Sequence, residues 1–258
     1  MTNNFLEIQD VTFAASKKNK VNNVTFSIEK EGALRLMQLG VDGIIWCPLS
    51  NKNSFEKQGK TTPIVTIDRP QEKIIYDCVF SNYKQSAQLI SNHINELNHK
   101  DIGVISGPLD ISIAKLRNEF ILKEVAKVAT VNWCVESTFT TELSDKAIKE
   151  LNKNNITFLI AGNDMIAIGA ISYLKSIGIR VPEDVSIIGF DGTKVSEIVS
   201  PSLTTIKQSS KIIGEKSIDT LLSRMKAPTE IPKKIDVDVQ LIQGNSTTPF
   251  IEKTKNEQ

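Results

Sequence analysis

"NDMIAIGAISYLKSIGIRVPEDVSIIGFD", from Asn163 to Asp191, joins an apolar helical pattern to an apolar strand pattern and carries polar residues at both ends. Its first half repeats apolar residues at the 3.6-residue spacing of a helix. Pro182 prevents the helix from continuing, and the run VSIIGFD that follows is typical of a buried strand. Because the apolar run ITFLIAG comes just before it, the stretch predicts a strand, helix, strand unit.

Short apolar runs of the same kind recur along the chain. Five of them are rich in β-branched residues and fit strands buried on both faces: VDGIIWCPL, TPIVTID, DIGVISGP, ITFLIAG and VSIIGFD. Segments with helical spacing lie between them, for example the one that contains Ala87, Ile90, Ile94 and Leu97. This alternation predicts an α/β protein with parallel sheets and helices on both faces.

Composition limits the function classes. The chain has 258 residues, 40% of them apolar and 24% charged, and a formal net charge of only +1. A nucleic-acid-binding surface needs clustered cations, so this nearly neutral net charge predicts that the sequence binds DNA poorly. Its three cysteines suit neither a disulfide framework nor paired metal ligands. No secretion signal and no long apolar span are present, so we expect a cytoplasmic protein with no membrane partner.

Polar side chains follow several of the predicted strands at the point where each strand ends. Asp68 follows IVTI, Asn163 follows FLIAG and Asp191 follows SIIGF. Loops at the carboxyl ends of parallel strands surround the crevice where ligands bind. Carboxylate, carboxamide and guanidinium groups can each bridge two neighbouring hydroxyls, so these residues together with Arg117 predict a site for a polyol.

Each of these residues also has a simpler interpretation. The alternative for Asn163 is a simple cap of the following helix, and for Asp191 it is a turn with the glycine after it. Arg117 lies in a helical segment, and spacing alone favours a solvated side chain or an ion pair with Asp110 or Glu119. Taken one by one the alternatives stay open, whereas four planar polar groups near strand ends favour a ligand cleft.

Signals of catalysis and of metal binding are weak. QGKTT resembles the end of a phosphate-binding loop, but Ser54 stands where the motif needs its first glycine. The two histidines, His93 and His99, are six residues apart and do not share a helical face, so a metal site is not expected. No Gly-x-Ser-x-Gly elbow occurs. We therefore expect neither an enzyme nor a cofactor.

From residue 158 to residue 247 the chain resembles the effector-binding domain of the LacI family of bacterial transcription regulators. The motifs that carry the resemblance are AGNDMIAIGAISYLKSIGIRVPEDVSIIGFD, PSLTTIKQSSKIIGEKSIDTLL and the ending LIQGNST. Upstream, LGVDGIIWCP, PIVTIDRP, ELNHKDIGVISGP and AKLRNEF also resemble the family and occur in its order. The resemblance therefore covers nearly the whole chain.

The resemblance implies a periplasmic-binding-protein-like fold of type I, in which two parallel-sheet lobes are joined by three crossovers and hold a small ligand between them. We expect the N-terminal lobe to comprise residues 1–80 and 207–236. The C-terminal lobe would comprise residues 81–206 and 237–250, and residues 251–258 would form a disordered tail.

The resemblance also assigns roles to residues. In the family, the positions of Asp68, Arg117, Asn163 and Asp191 contact the effector, which is usually a sugar. An aromatic residue near the crossover and another in a following loop often pack on the apolar face of the sugar. Phe80 and Phe139 are the candidates here, and plain core packing is the alternative for both. Glu119 replaces a glycine of the family pattern, which bears on how Arg117 is placed.

Partners follow from the same resemblance. The family's DNA-binding headpiece and hinge helix are not found in this sequence. The resemblance implies that operator DNA would be bound only through such a headpiece. A homodimer is expected, with the helix IGEKSIDTLLSRM and an early helix FLEIQDVTFAA as candidate interface elements. The alternative function is a sugar-binding protein of a transport system, which has the same fold and cleft but requires export.

Overall fold

Strands and helices alternate along the chain, as the apolar runs predict. The structure is a computed structural model, and it describes residues 11–13, 21–27, 36–47, 62–68, 75–153 and 155–252. All five predicted strand runs form strands. Of the predicted tail, residues 253–258 lie outside the described residues.

The chain forms two compact units. Unit 1 comprises Met1–Ser81 and Ser209–Val237, and unit 2 comprises Asn82–Gln208 and Asp238–Gln258. The chain therefore passes from one unit to the other three times. Both units contain a sheet in which parallel pairing dominates, so the structure has the predicted α/β class with three crossovers.

The described part of unit 1 contains a six-stranded sheet and a long helix against it. The strands are β1 (Val11–Phe13), β2 (Val21–Ser27), β3 (Gly43–Trp46), β4 (Ile64–Ile67), β5 (Asp77–Ser81) and β11 (Lys234–Val237), and they lie in that order across the sheet. Among the strand pairs of the described residues, β1 with β2 is antiparallel and the others are parallel. The helix α6 (Ser210–Lys226) packs against β3, β4 and β5 through Ile213 and Leu221, which contact Ile45, Val65 and Val79.

One prediction for unit 1 is wrong. We expected FLEIQDVTFAA to be helical, but Val11–Phe13 forms the edge strand β1, paired with β2. A β-branched residue, a threonine and an aromatic residue in succession suit a strand better than a helix. The rest of that segment lies outside the described residues.

Unit 2 contains the second six-stranded sheet, with strand order β12-β10-β9-β8-β6-β7. Its strands are β6 (Asp101–Ser106), β7 (Thr130–Glu136), β8 (Phe158–Ala161), β9 (Ser186–Asp191), β10 (Thr204–Lys207) and β12 (Gln240–Ile242). Its helices are α1 (Tyr83–Glu96), α2 (Ser112–Val125), α3 (Asp145–Leu151), α4 (Asp164–Ser176) and α5 (Lys194–Ile198). All strand pairs are parallel except β10 with β12.

The core of unit 2 explains why its central strands are almost continuously apolar. All four residues of β8 and the first five of β9 are buried, because helices cover both faces of these strands. Leu159 and Ile187 pack against Ile166 and Leu174 of α4. Burying a side chain of this size stabilises the fold by roughly 1.5–3 kcal/mol. This core holds the carboxyl ends of β6, β8 and β9 in fixed positions.

Within the described part of the chain, no helix combines the length and the apolar character needed to cross a membrane.

Candidate functional site

The predicted residues of unit 2 meet where β6, β8 and β9 end. Gly107 follows β6 and Gly162 follows β8, and the amide of Gly162 donates to the carbonyl of Ile105 at 2.7 Å. A β-carbon at Gly162 would lie 2.7 Å from the backbone nitrogen of Gly107, so the two loops can approach this closely only with glycine at position 162. The loops form the floor of the site.

Arg117 projects from α2 onto this floor and is buried, with 5% of its surface exposed. One terminal nitrogen donates to the carbonyl of Gly162, and the other lies 3.7 Å from Oδ1 of Asp191. The guanidinium carbon lies 3.6 Å from the centre of the Phe190 ring, a cation–π distance. Nε is buried and has no hydrogen-bond partner in the described part of the chain.

The solvated or locally paired arrangement that spacing favours for Arg117 is therefore wrong. Oε1 of Glu119 instead lies 4.0 Å from Nζ of Lys115, and both of those side chains are more than half exposed. Arg117 is directed inward because the helix turns its side chain toward the strand ends, where a carbonyl, an aromatic face and a carboxylate are all within reach.

Asp191 is the last residue of β9 and has a left-handed backbone, with φ of 107°. Its Oδ1 accepts a hydrogen bond from Nε2 of Gln208 at 2.7 Å. About a third of its side chain, 32%, is exposed. Asp191 therefore places an accessible acceptor next to the Arg117 donor, and the interpretation as a simple turn residue does not account for this pairing.

Asn163 caps α4, as the simpler interpretation proposes. Its Oδ1 accepts from the amide of Ile166 at 2.9 Å, and the residue is 7% exposed. The cap uses only the carbonyl oxygen, and within the described part of the chain the Nδ2 group donates to no other residue. Asn163 also directly follows Gly162, whose carbonyl binds Arg117. Asn163 therefore has a side-chain amide that makes no hydrogen bond to the described residues, one position after the carbonyl that binds Arg117.

Asp164, the other member of the Asn-Asp pair, is completely buried. Oδ2 accepts from the amide of Thr193 at 2.7 Å and from its hydroxyl at 2.8 Å, and Oδ1 accepts from the hydroxyl of Thr205 at 2.6 Å. Burial raises the pKa of this carboxyl, and the hydrogen bonds from Thr205 and Thr193 oppose the increase. Because its oxygens are occupied, Asp164 is not a ligand contact.

Phe139 lies in the loop between β7 and α3 and is partly buried against the unit 2 core. A β-carbon at Gly107 would lie 2.2 Å from its ring, so the ring rests directly on that glycine. Together with Arg117 and Gly162 it lines a cavity of about 10 Å³, which is room for about one water. Phe139 thus packs on the core and also borders the site next to Arg117.

The two remaining predicted residues belong to unit 1. Asp68 follows β4 with φ of 53°, and its amide donates to the carbonyl of Val79 at 2.9 Å. Since Ile67 pairs with Val79, Asp68 and Phe80 lie side by side at the carboxyl edge of the unit 1 sheet. Phe80 is buried, with 8% of its surface exposed. The structure thus brings Arg117, Asn163, Asp191 and Phe139 together in unit 2, and Asp68 and Phe80 together in unit 1.

Three residues that the sequence analysis does not identify also shape the unit 2 site. Phe190 lies under the guanidinium of Arg117, and Tyr83 lies on another side of it, with its ring centre 5.7 Å away. Gln208 donates to Asp191. Phe190 could have been found, because it directly precedes Asp191 in the motif GFD. Tyr83 and Gln208 give no comparable signal, since their contacts span long distances in sequence.

Within the described ranges, no three of the His, Cys, Asp and Glu side chains come together as a metal site would require. The ring nitrogens of His99 are held by Thr157 and by the carbonyl of Thr248, both at 2.9 Å, and Nε2 of His93 by Thr247 at 3.0 Å. Burial lowers the pKa of both histidines. The chemistry of the unit 2 site is therefore that of hydrogen-bond donors and acceptors: a guanidinium, a carboxamide and a carboxylate.

Comparison with known proteins gives a consistent result. A family model described as a periplasmic binding protein-like domain matches residues 91–247. The HTH-type transcriptional repressor PurR of Klebsiella pneumoniae is 30% identical over 246 residues, which cover 90% of this chain and 72% of the relative.

Solved structures agree. A dimeric Lac repressor with a C-terminal deletion is 25% identical, with a TM-score of 0.77 and coverage of 85% of this chain and 82% of that one. A LacI family transcriptional regulator from Enterococcus faecalis with bound ribose is 29% identical, with a TM-score of 0.73 and coverage of 86% and 83%.

Proposed function

We propose, from the premise that this chain belongs to the LacI family of transcription regulators as an effector-binding domain, that Arg117, Asn163 and Asp191 bind a small ligand with several hydroxyl groups. Asp68 and the rings of Phe80 and Phe139 are the further contacts in this proposal. Relatives of this chain are transcriptional repressors rather than enzymes, in agreement with an assignment to binding instead of catalysis.

The observation that carries the proposal is the buried guanidinium of Arg117. A cation with 5% exposure is costly to bury, and here a carbonyl, an aromatic face and a carboxylate stabilise it at the end of the strands. The partly exposed Asp191 next to it can accept from a ligand hydroxyl, while the Asn163 amide can donate to another. A sugar presents neighbouring hydroxyls that use both kinds of group.

Ribose is the ligand bound to the regulator from Enterococcus faecalis, and this supports a sugar or sugar derivative as the effector of the present chain. The site also contains aromatic surface at Phe139, and a planar heterocycle could stack there. Such a ligand could also use the donors and acceptors around Asp191 through ring nitrogens and carbonyl groups, but the ribose bound to the Enterococcus faecalis regulator favours a ligand with hydroxyl groups. The sugar is therefore our proposal, and the heterocycle is an outcome of the test.

Effector binding would alter operator binding through a DNA-binding headpiece in the cytoplasm. A ligand shifts a conformational equilibrium only by its difference in affinity for the two states. A coupling of about 1–3 kcal/mol would change operator affinity about 5–150-fold. We further propose a homodimer, since the Lac repressor compared above is dimeric and a dimer would pair two headpieces with two DNA half-sites.

The test is a thermal-shift screen of this chain with pentoses, hexoses, phosphorylated sugars, nucleobases and nucleosides. Ligand binding stabilises the folded state and so raises the thermal midpoint. At a ligand concentration 100 times the dissociation constant, the stabilisation is about 2.7 kcal/mol. We expect at least one sugar to stabilise the protein and expect this shift to disappear in Asp191→Asn. Stabilisation by a nucleobase but by none of the sugars would overturn the sugar assignment. Lys115→Ala, a change of an exposed residue on α2, is the control.

A further inference from the structure

Asp164 has a buried carboxylate close to the candidate site, and the proposed binding does not use it. It begins α4, directly after Asn163. An acidic residue in the first turn of a helix is favoured by the helix dipole, and an exposed carboxylate is sufficient for that. Asp164 is instead completely buried and surrounded by hydroxyl and amide donors. A role in helix stability alone does not account for this environment.

The donors come from Thr193, two residues after Asp191, and from Thr205 on β10. Thr193 gives both its amide and its hydroxyl to Oδ2 of Asp164. The amide of Gly192 donates to the hydroxyl of Thr205 at 3.3 Å, and that hydroxyl donates to Oδ1 of Asp164 at 2.6 Å. Asp164 therefore holds Thr193 directly and Gly192 through one intermediate hydroxyl.

Two neighbouring residues, Thr193 and Gly189, differ from the usual pattern of a helix cap and of a strand where they contact Asp164. Thr193 occupies the N-cap position of α5, but its side chain makes no capping hydrogen bond because its hydroxyl binds Asp164. A β-carbon at Gly189 would lie 2.5 Å from Oδ1 of Asp164, so only glycine leaves room for the carboxylate at that point of β9. At Thr193 the side chain binds Asp164 and does not cap the helix, and at position 189 a glycine stands in the strand next to the Asp164 carboxylate.

The turn that Asp164 holds has an unfavourable backbone. Asp191 has φ of 107° and Gly192 has φ of 66°. Glycine tolerates this region, but for an aspartate it is sparsely populated and persists only where the surroundings impose it. The same turn fixes the direction in which the Asp191 carboxylate leaves the strand, toward Arg117 and Gln208.

We propose that Asp164 is a positioning residue of the effector site, which holds Gly192 and Thr193 and thereby fixes the Asp191 carboxylate beside Arg117. This inference rests on the proposed role of Asp191 as an effector contact. It adds a specific dependence: effector affinity requires a hydroxyl at position 205 and a carboxylate at position 164, although neither side chain touches the ligand.

The experiment compares Thr205→Val with Thr205→Ser and with Asp164→Asn in the full chain. Thr205→Val keeps the shape but removes the hydroxyl, whereas Thr205→Ser keeps the hydroxyl. Ser246→Ala is the matched control, because Ser246 is also completely buried and its hydroxyl joins the amide of Thr204 to the carbonyl of Ile187 near the amino-terminal ends of β10 and β9, away from the turn at Gly192.

Two measurements are made on each protein: amide hydrogen exchange at Gly192 and Thr193 by NMR, and the dissociation constant for D-ribose. We expect Thr205→Val and Asp164→Asn to speed exchange at both amides and to weaken D-ribose binding about tenfold or more, a factor that corresponds to about 1.4 kcal/mol. Thr205→Ser should restore both values, and Ser246→Ala should leave both unchanged even where it lowers the thermal midpoint.

Equal exchange rates at Gly192 and Thr193 in Thr205→Val and Thr205→Ser would overturn the positioning role. The same conclusion would follow if Ser246→Ala weakened D-ribose binding as much as Thr205→Val does. If the wild-type protein does not bind D-ribose, that result excludes D-ribose as the effector, and the exchange rates alone then decide the role of Asp164.

Discussion

Replacing Arg117 with methionine tests how the centre of the unit 2 site is stabilised. The change removes the donor to the carbonyl of Gly162, which costs about 1–3 kcal/mol for a buried acceptor left unsatisfied. Loss of the contact with the Phe190 ring removes about 0.5–2 kcal/mol. Because Asp191 is about a third exposed, loss of its 3.7 Å ion pair costs only about 0–1 kcal/mol.

A gain partly offsets these losses, because methionine also removes the buried Nε that has no partner in the described part of the chain. We therefore expect a net destabilisation of about 1–3 kcal/mol. For a unit of this size, each kcal/mol lowers the thermal midpoint by about 2–4 °C. Differential scanning calorimetry of wild type and Arg117→Met measures the change.

Lys115→Met is the matched control for this measurement. Lys115 lies two residues earlier on the same helix, and 60% of its side chain is exposed. Its loss should change the stability by no more than about 0.5 kcal/mol. If Arg117→Met and Lys115→Met have the same thermal midpoint, Arg117 is not held as described, and the reasoning about the buried guanidinium fails.

Two further predictions follow from the packing of unit 2. Gly169→Ala should destabilise unit 2 by about 1–3 kcal/mol, because the new β-carbon would lie 2.3 Å from the carbonyl oxygen of Thr141. The comparison variant is Gly214→Ala in α6 of unit 1, where a β-carbon would have no described residue within 4 Å; this change should be neutral or stabilising by up to about 1 kcal/mol, and urea denaturation distinguishes the two. Burial holds the pKa of His93 and of His99 below 6.5, so the unfolded chain takes up protons first as the pH falls below 6.5, and thermal stability should decrease from that pH downward. A double His→Gln variant should flatten this dependence between pH 7 and 5, and an unchanged slope would contradict it.

The fold was largely predictable because the central strands are buried on both faces. Runs such as ITFLIAG and VSIIGFD need no partner to be recognised, since few other structures contain short, continuous β-branched segments between helical patterns. The edges were harder. β7 lies at one end of its sheet and is largely exposed, so TVNWCVE lacks the continuous apolar character of the central strands. In the other sheet, the pattern of FLEIQDVTFAA predicts a helix, whereas Val11–Phe13 forms the edge strand β1.

The clustering of the candidate residues in unit 2 was predictable to the extent that strand ends are, and their role in binding stays a prediction. Asp191 and Asn163 follow apolar runs, and parallel strands bring such positions to one edge. The pairing of Arg117 with Asp191 joins positions 74 residues apart, so no local spacing reveals it, and local spacing favours the surface partners. Asp164 illustrates the same limit. Its neighbour Asn163 has the same helix-capping signal in sequence, yet the hydroxyls that bury Asp164 come from distant segments.

The most direct test of the central claim is isothermal titration calorimetry of the sugar that most stabilises the wild-type protein, repeated with Arg117→Met, Asp191→Asn and the control Lys115→Met. The account predicts that binding is lost or weakened at least about tenfold in the first two proteins and is unchanged in the control. Wild-type affinity in both Arg117→Met and Asp191→Asn would show that the effector binds elsewhere.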